Sequence, residues 1–524
     1  MDEEAAADAQ DLFEALYEGE DAVVRQLRAG ARVQDTDEDG RTPLYLAAVD
    51  GRAGVVRLLL AAGADPDRAC GPDEDDLPLC GAAVWGHTET VRALLAAGAR
   101  PDLRETSGFT ALAWAVQGGR TRTVEALLEY GADPGLPGSD NEPPLVAAAR
   151  RGSPSTVRAL LRHGADAHAQ ALELARQWLA RDVEQEVRDA LVRVEGPGTR
   201  TVSRRVEEDG GETVVVEALR DGVPRSGNEQ QTGHAAIATI LEQRLGIRTP
   251  YAQLAERALR EGRPDRDNWS ESVTALSRRG DEETFEAAAA GCASDDPLHQ
   301  AFAADVLAQL GFGYGSGDTD DETEGEADEP LPWPEESKDE VRRPFAARTL
   351  PLLRELSREA RDAELIQSVV LALGHHGDPA GLPEILRHAG HPDAEVRHRV
   401  ALALGGLVPG DHAEGIAALI ALSRDADVRT RDWATMALAG VPADTPGIRE
   451  ALAARTDDRD PDTLAEAARG LAMRQDPRAA EVLAGLLADE DPDGYAHSTA
   501  AEAVRYLRDE GLRRRLTGTA PRHR

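Results

Sequence analysis

The chain has 524 residues, of which 41% are hydrophobic and 4% aromatic, and its formal net charge is −37. The hydrophobic content suffices for a packed interior, and the abundance of Ala, Leu, Arg, Glu and Asp favours helix almost everywhere. The negative charge argues against nucleic acids and anionic membranes as partners, because binding to them needs a basic patch. It favours basic or polar protein segments instead.

The first residues and the cysteines bear on the cellular compartment. The opening MDEEAAADAQ is acidic and lacks the basic start and apolar stretch of a secretion signal. No apolar run approaches the ~20 residues that a membrane span needs. Cys70, Cys80 and Cys292 are too few for a disulfide scaffold, and their odd number fits a reducing compartment. We therefore expect a soluble cytoplasmic protein.

The first part of the chain repeats one unit. Gly-Ala pairs begin at Gly30, Gly63, Gly98, Gly131 and Gly164, with spacings of 33, 35, 33 and 33 residues. Before each pair, apolar residues recur at i, i+3 and i+4, which predicts a helix with one buried face. The glycine after it suits a left-handed helix end. An alanine-rich helix precedes this one in each unit, and Thr42-Pro43 is a typical helix start.

These landmarks resemble the ankyrin repeat, whose unit has about 33 residues and a T-P-L-H-x-A signature. The resemblance covers residues 8–193, and the segment from Ala171 to Val192 looks like a capping repeat. It implies a solenoid whose turns and first helices form a concave binding face. The usual histidine of the signature is replaced, for example by Tyr45 and Cys80, and Thr-Pro is kept in full only at Thr42-Pro43.

The positions that vary between repeats indicate where a partner would bind. Aligning the alanine pairs places Asp50, Trp85, Gly118 and Arg151 at one equivalent site. Trp and Arg are frequent interface anchors, and Trp85 should be exposed; the alternative is that it packs on the neighbouring loop. The predicted protein-binding residues are Arg41, Tyr45, Asp50, Trp85, Arg104, Phe109, Trp114, Gln117, Arg150 and Arg151.

Residues 195–233 interrupt the repeats. The stretch TVSRRVEEDGGETVVVEAL alternates weakly between apolar and polar residues and has a turn signal at Asp209-Gly210, which predicts a β-hairpin. The following RDGVPRSGNEQQTG is rich in turn-forming residues and reads as a linker. We expect the hairpin to pack on a neighbouring helix end, because an isolated hairpin is only marginally stable.

From His234 the chain is predicted to be helical again, and a second periodicity follows. Leu373, Leu404, Leu438 and Leu471 are spaced by 31, 34 and 33 residues. The motif DAEVR at 393–397 and the Leu-Gly pairs at Leu373 and Leu404 resemble short bacterial HEAT repeats over residues 268–517. Lys338 is the single lysine among 59 basic residues. That bias is typical of GC-rich genomes, so we expect a bacterial, actinobacterial-like source.

An acidic segment, residues 313–343, lies inside this second array. From Asp318 to Glu340 it carries 12 acidic residues and one lysine, a net charge of −11. Its charges repel and it cannot bury a core, which predicts disorder. It is either a tolerated solvated loop or an acidic segment for interaction or self-masking.

We find no predicted catalytic residue, cofactor or metal ligand. A HEAT-repeat hydroxylase family binds iron through His-Glu pairs, and this sequence contains no His-Glu dipeptide. The cluster His375, His376, His388, His391 and His398 is interpreted as solvated turn histidines rather than a metal site. Resemblance to HEAT-repeat lyases leaves one enzyme alternative, a lyase-type enzyme or its accessory protein. A regulator sensing a small ligand at the junction is a third possibility.

The sequence predicts an all-α fold of two α-solenoids, an ankyrin array and then a HEAT-like array, with a small β-hairpin at the junction. The predicted function is that of a non-enzymatic scaffold or adaptor that binds protein partners on its concave surfaces. The predicted segments are an ankyrin domain at 1–194, hairpin and linker at 195–233, a helical lead-in with first HEAT-like repeats at 234–312, the acidic insertion at 313–343, and HEAT-like repeats at 344–524.

Overall fold

The computed structural model describes residues 12–73, 75–139, 141–208, 210–312, 345–488 and 494–517. The acidic segment 313–343 lies outside these ranges. The described chain divides into two compact units, Met1–Ser272 and Val273–Arg524. Helices dominate both units, and the prediction of an ankyrin array, a HEAT-like array and a small β element between them is confirmed.

The first unit begins with helices arranged in pairs. Thr42 accepts a hydrogen bond from the Tyr45 amide at 3.2 Å and Pro43 is the first helical residue, as predicted. The glycine of each Gly-Ala pair has a φ between 83° and 102°, a conformation that strains any residue with a Cβ. The helices are α1 (12–18), α2 (Glu20–Ala29), α3 (Pro43–Val49), α4 (Ala53–Ala61), α5 (Pro78–Trp85), α6 (Thr88–Ala96), α7 (Ala111–Gln117), α8 (Thr121–Glu129), α9 (Pro144–Arg151), α10 (Pro154–Arg162), α11 (His168–Leu179) and α12 (Val183–Glu195).

A three-stranded antiparallel sheet follows, with the order β1 (Arg200–Glu208), β2 (Gly211–Arg220), β3 (Val223–Gln231). The hairpin is therefore present, but the segment predicted as a linker forms β3. Its polar composition, with Pro224 and Gly227, conceals the strand. Polar residues and proline are tolerated there because β3 is an edge strand. On one face of the sheet, Val187 and Leu191 of α12 pack against apolar residues of β2.

Three helices follow the sheet, and the first of them joins the core of the first unit. They are α13 (His234–Arg244), α14 (Tyr251–Leu259) and α15 (Asp267–Ser277), inside which the boundary between the units falls. Ile237, Ala238 and Leu241 of α13 are buried in the same cluster as Ala171 and Ala175 of α11. Helix α13 therefore covers α11 and packs with the ankyrin helices.

The second unit repeats pairs of helices whose first members pack side by side. Leu373, Leu404, Leu438 and Leu471 are all fully buried. The helices are α16 (Glu282–Gly291), α17 (Pro297–Phe312), α18 (Ala346–Glu359), α19 (Ala363–His376), α20 (Leu382–Leu386), α21 (Ala394–Leu404), α22 (Ala413–Leu422), α23 (Val428–Gly440), α24 (Pro446–Ala453), α25 (Pro461–Met473), α26 (Ala479–Leu486), α27 (Tyr495–Ala503) and α28 (Glu510–Thr517), with 3₁₀ turns at Pro379–Gly381 and Val504–Tyr506.

Arginine and aspartate link successive repeats of the second unit. Arg397 pairs with Asp425 at 2.7 Å, and Arg431 pairs with Asp458 at 3.2 Å. Each arginine also donates to main-chain carbonyls of the turn before its own helix. The arginine of the DAEVR motif thus fixes the stacking of one repeat on the next.

Candidate functional site

The candidate site is the face formed by α3, α5, α7 and α9 together with the loops before them, which we call the ankyrin inner face. The four aligned positions on it differ strongly in side chain. Asp50 and Trp85 are exposed, and the Trp85 side chain is 61% accessible. A tryptophan exposed to this degree is uncommon, because large aromatic side chains bury most of their surface. The interpretation of Trp85 as a packed loop contact is therefore not supported.

The repeat after Trp85 has two glycines at the equivalent helix end. Gly118 occupies the aligned position on the next helix, and Gly119 follows it with a φ of 65°. A Cβ at Gly119 would lie 2.9 Å from the Arg151 side chain and 3.1 Å from Gln231. Exposed Gln117 completes this part of the face. Arg120 fills the space along these helix ends, because a Cβ at Gly118 would lie 3.3 Å from its side chain. Trp85 itself remains exposed.

Trp114 and Phe109, in contrast, are committed to the protein. Their rings stack with centroids 4.1 Å apart, and the Trp114 indole donates to Glu105 at 2.8 Å. Burial raises the pKa of Glu105, although the hydrogen bond from Trp114 acts in the opposite direction. These residues hold the loop before α7 in place, so they support the inner face rather than reach out from it.

Tyr45 belongs to an acidic part of the same face. Its hydroxyl is hydrogen-bonded to Asp76, and burial together with the nearby Asp76 carboxylate raises the pKa of Tyr45 to about 12. The pKa of Asp76 is itself raised, first by burial and then by Asp75. This cluster keeps the face negative near α3 and α5.

The predicted arginines mostly have internal partners. Arg41 pairs with Asp39 at 2.6 Å and with Asp37. Arg104 donates to the carbonyls of Gly108 and Pro137 at 2.6 and 2.7 Å, which ties two successive loops together. Arg150 is paired with Glu142. Arg41 and Arg104 act within the loops, while the exposed Arg150 lies at the end of the face.

Arg151, at the fourth aligned position, is occupied by the chain itself. Its guanidinium donates to both the main-chain carbonyl and the carboxylate of Glu229 in β3. The amide of Gln230 then donates to the carbonyls of Arg150 and Arg151 at 2.7 and 2.6 Å. The side chain of Arg151, predicted to bind a partner, is therefore engaged within the chain. An extended segment of the same chain already binds there.

The start of α13 resembles the start of the second helix of an ankyrin repeat. His87 Nε2 is 3.0 Å from the Val49 carbonyl, and His234 Nε2 is 3.3 Å from the Arg150 carbonyl. The His234 ring also stacks on Trp178, with centroids 4.9 Å apart. Sequence reasoning missed this site, although the shared Gly-His dipeptides at 86–87 and 233–234 could have indicated it.

His234 makes the first unit sensitive to acid. Burial lowers the pKa of His234 to about 4, against a usual value of 6.5. Between pH 6.5 and 4, His234 is protonated in the unfolded chain but neutral in the folded chain. The stability of the folded state therefore falls as the pH drops from 6.5 towards 4. We expect a loss of about 2 kcal/mol near pH 5, which His234→Gln abolishes. Thermal unfolding of the wild type and of His234→Gln, above pH 6.5 and near pH 5, checks this. An equal loss of stability in the two proteins would contradict it.

The second unit contains no competing metal site among its described residues, since no three His, Cys, Asp or Glu side chains there converge on one point. The interpretation of its histidines as solvated is nevertheless wrong for three of them: His376, His388 and His398 are buried. His376, for instance, lies 2.8 Å from the carbonyl of Ala346.

The cysteines are unpaired thiols, and Cys70 and Cys80 are buried. Burial raises the pKa of all three, that of Cys292 to about 12. A raised pKa is the opposite of the lowered pKa that activates a nucleophilic cysteine. None of the helices in the described ranges has the length and hydropathy to cross a membrane.

Comparison with known proteins identifies both repeat types. A family model for ankyrin repeats matches residues 12–105 and 79–171, and one for HEAT repeats matches 350–439 and 416–505. The chain therefore carries ankyrin and HEAT repeats, as its sequence indicated.

Two relatives match part of the chain. Protein phosphatase 1 regulatory subunit 27 of Mus musculus is 41% identical over 68 residues, and that of Homo sapiens is 40% identical over 68 residues. These matches cover 13% of this chain and 43% of each relative. They are mammalian and partial, so they give no support to the expected bacterial source.

Proposed function

We propose that this chain of ankyrin and HEAT repeats is a non-enzymatic scaffold or adaptor, and that its ankyrin inner face binds a protein partner around Trp85. The observation that carries the proposal is the contrast between aligned positions. At Arg151 the face holds Glu229 and Gln230 of β3. At Trp85, two repeats earlier, a large aromatic side chain is exposed.

The internal contact at Arg151 is a guide to how a partner binds. In the extended strand β3, the carboxylate of Glu229 pairs with Arg151 at the aligned position, and the side-chain amide of Gln230 donates to the carbonyls at the end of α9. An extended partner segment can use the same arrangement at the neighbouring repeats. The rigid helices lose little entropy on binding, because their side chains are already ordered by packing.

The partner segment is basic or polar. Asp37 and Asp39 lie at the loop before α3, and Asp75 and Asp76 lie at the loop before α5. A lysine or arginine beside these loops gains from their charge, and an arginine placed over the Trp85 ring gains a cation–π contact. Nucleic acids and membranes are not expected partners, since the chain has a net charge of −37.

The relatives agree with an adaptor role, since their names describe them as regulatory subunits of a phosphatase. A cytoplasmic location fits the free cysteines at 70, 80 and 292.

Trp85→Ala is expected to weaken partner binding at least tenfold, because exposed aromatic anchors contribute about 2 kcal/mol or more to an interface. The experiment is capture of partners from a host lysate by the whole chain, followed by titration of each captured protein. Tyr130→Ala is the matched control, since Tyr130 is 43% exposed and caps the end of α8, outside the inner face. We expect it to change affinity less than about twofold.

If the wild-type chain and Trp85→Ala bind a partner equally well, the binding surface lies outside the ankyrin inner face. Trp114→Ala is not a clean probe, because it removes the stacking on Phe109 and the bond to Glu105. A loss of binding in that variant would report on the loop before α7 as much as on contact with a partner.

A further inference from the structure

The outer strand of the small sheet has an open edge. The sheet order is β1-β2-β3, so β1 pairs with β2 alone. Every residue of β1 is exposed or half-buried. Val202 and Val206 are 44% and 37% accessible, although both are β-branched residues that gain from strand pairing. An edge of this length can pair with another strand unless the sequence prevents it.

The main-chain directions along this edge follow from one hydrogen bond. The Thr232 amide donates to the Glu212 carbonyl at 2.9 Å, so the main chain of Glu212 faces β3. Glu207 lies opposite Glu212 in the register of β1 and β2. In an antiparallel ladder such a pair exchanges no hydrogen bonds, so the main chain of Glu207 faces the open edge. By alternation, the main chain of Arg205 faces the same way.

The last five residues of β1, Arg204-Arg205-Val206-Glu207-Glu208, carry charges in a self-complementary order; we call them the β1 pentad. When two copies pair antiparallel about Val206, each Arg204 lies opposite Glu208 and each Arg205 lies opposite Glu207 of the other copy. The two central valines face each other. All four charged pairs are of opposite sign, and the main chains of Arg205 and Glu207 are those already directed outward.

The pentad also specifies the register. Moving the two-fold axis by one residue, to Arg205 or to Glu207, shifts the register by two and places that residue opposite its own copy, and like charges directly opposite are destabilising. A shift by a single residue would set outward-facing main-chain groups against inward-facing ones, so their hydrogen bonds would not form. Charged residues on an edge usually prevent pairing. Here their order disfavours the two neighbouring symmetric registers and favours the one about Val206.

Arg204 and Glu208 are the decisive pair. Arg205 already pairs with Glu212 at 2.8 Å, and Glu207 already pairs with Arg263 at 2.6 Å. Within the part of the chain that the structure describes, Arg204 has no ion-pair partner. Glu208 accepts one hydroxyl, that of Thr213, at 2.7 Å. A second copy therefore offers these two side chains their strongest available contact.

We propose that the chain forms a weak two-fold dimer by antiparallel pairing of the β1 pentads of two copies. The contact is weak because five paired residues bury less than the ~1,200 Å² of a standard interface. The dimer joins two ankyrin inner faces, so a partner with two binding segments gains from effective concentration. The dimer itself does not depend on the proposed function.

The test is sedimentation equilibrium of the full chain over a concentration series, using Arg204→Glu, Glu208→Arg and the double variant. Each single variant turns two attractive pairs into repulsive ones, so we expect the dimer dissociation constant to rise about tenfold. The double variant restores opposite charges and should return to within about threefold of the wild-type value. Glu256→Arg, an exposed change on α14, controls for net charge.

Circular dichroism of each variant checks that it is folded. Because the double variant carries both substitutions, recovery of its dimer excludes misfolding as the reason why the single variants dimerise less. A chain that stays monomeric at every concentration overturns the proposal, and leaves the edge to solvent or to a strand of another protein. A dimer that the single variants leave unchanged overturns it equally, because the contact then lies elsewhere.

Discussion

Replacing Arg474 with alanine is expected to lower the free energy of unfolding of the second unit by about 3–5 kcal/mol. Arg474 follows α25 and is only 7% accessible. Its guanidinium donates to five main-chain carbonyls, and burial lowers its pKa. The acceptors are the carbonyls of Leu438, Ala439, Val441, Ala443 and Gly470.

The cost is large because four of the five acceptors belong to the end of α23 and the turn after it, and the fifth, Gly470, lies in the last turns of α25. The last carbonyls of a helix have no partner inside the helix and need one from elsewhere. In the alanine variant they remain buried and unpaired, and each such group costs about 1–3 kcal/mol. Arg474→Lys should rescue little, since an ammonium group cannot match the planar fork of five donors.

Urea unfolding of the full chain, with hydrogen exchange of the α23 and α25 amides, measures this effect. Hydrogen exchange is needed because repeat arrays unfold in parts, and the loss should appear first around α23 and α25. The matched control is Arg505→Ala, whose side chain is 75% accessible, and it should change stability by less than about 0.5 kcal/mol. Equal effects of the two variants would refute the capping role of Arg474.

Glu242→Gln is expected to destabilise the first unit by about 3–5 kcal/mol. Glu242 and Arg257 are both buried, and Arg257 donates to the two carboxylate oxygens at 2.6 and 2.9 Å. Arg176 and Thr249 donate to the same carboxylate. Glutamine keeps the shape but removes the charge, which leaves the buried guanidinium of Arg257 uncompensated.

The effect of Glu242→Gln depends on pH with a definite sign. Burial alone would raise the pKa of Glu242, but hydrogen bonds from Arg257, Thr249 and Arg176 outweigh it and lower the pKa to about 2. The contribution of Glu242 is present above the usual value of 4.5 and is lost as the pH falls towards 2. The difference between wild type and variant should therefore narrow in acid.

Thermal unfolding at several pH values measures that difference. Glu256→Gln, an exposed change on α14, is the control and should have little effect at any pH. A Glu242→Gln protein as stable as the wild type at neutral pH would mean that the carboxylate is not needed to hold α13 against α14.

Repeat architecture and helix ends could be predicted because they depend on local patterns. The glycines after the second helix of each repeat, such as Gly63 and Gly98, need a positive φ, and no partner elsewhere in the chain decides that. The exposure of Trp85 followed from its place in the alignment. These features require only the sequence period and the chemistry of single residues.

Features that depend on contacts between distant residues could not be predicted in this way. Nothing in the polar stretch of β3 indicates that Glu229 binds Arg151, because the two are 78 residues apart. Trp85 and Trp114 are both predicted to reach the binding face, yet Glu105 and Phe109 hold Trp114 in the protein. His376 was interpreted as solvated, because the helix that covers it could not be identified from the sequence.

The most direct test of the account is the position at which a partner touches the chain. A photo-reactive residue is placed at Gln117, exposed at the end of α7, or at Tyr130 on the outer side of α8, and each protein is irradiated with the captured partner. Binding on the ankyrin inner face predicts cross-linking from position 117 and none from position 130. Cross-linking from position 130 alone, or from neither while the partner stays bound, would contradict it.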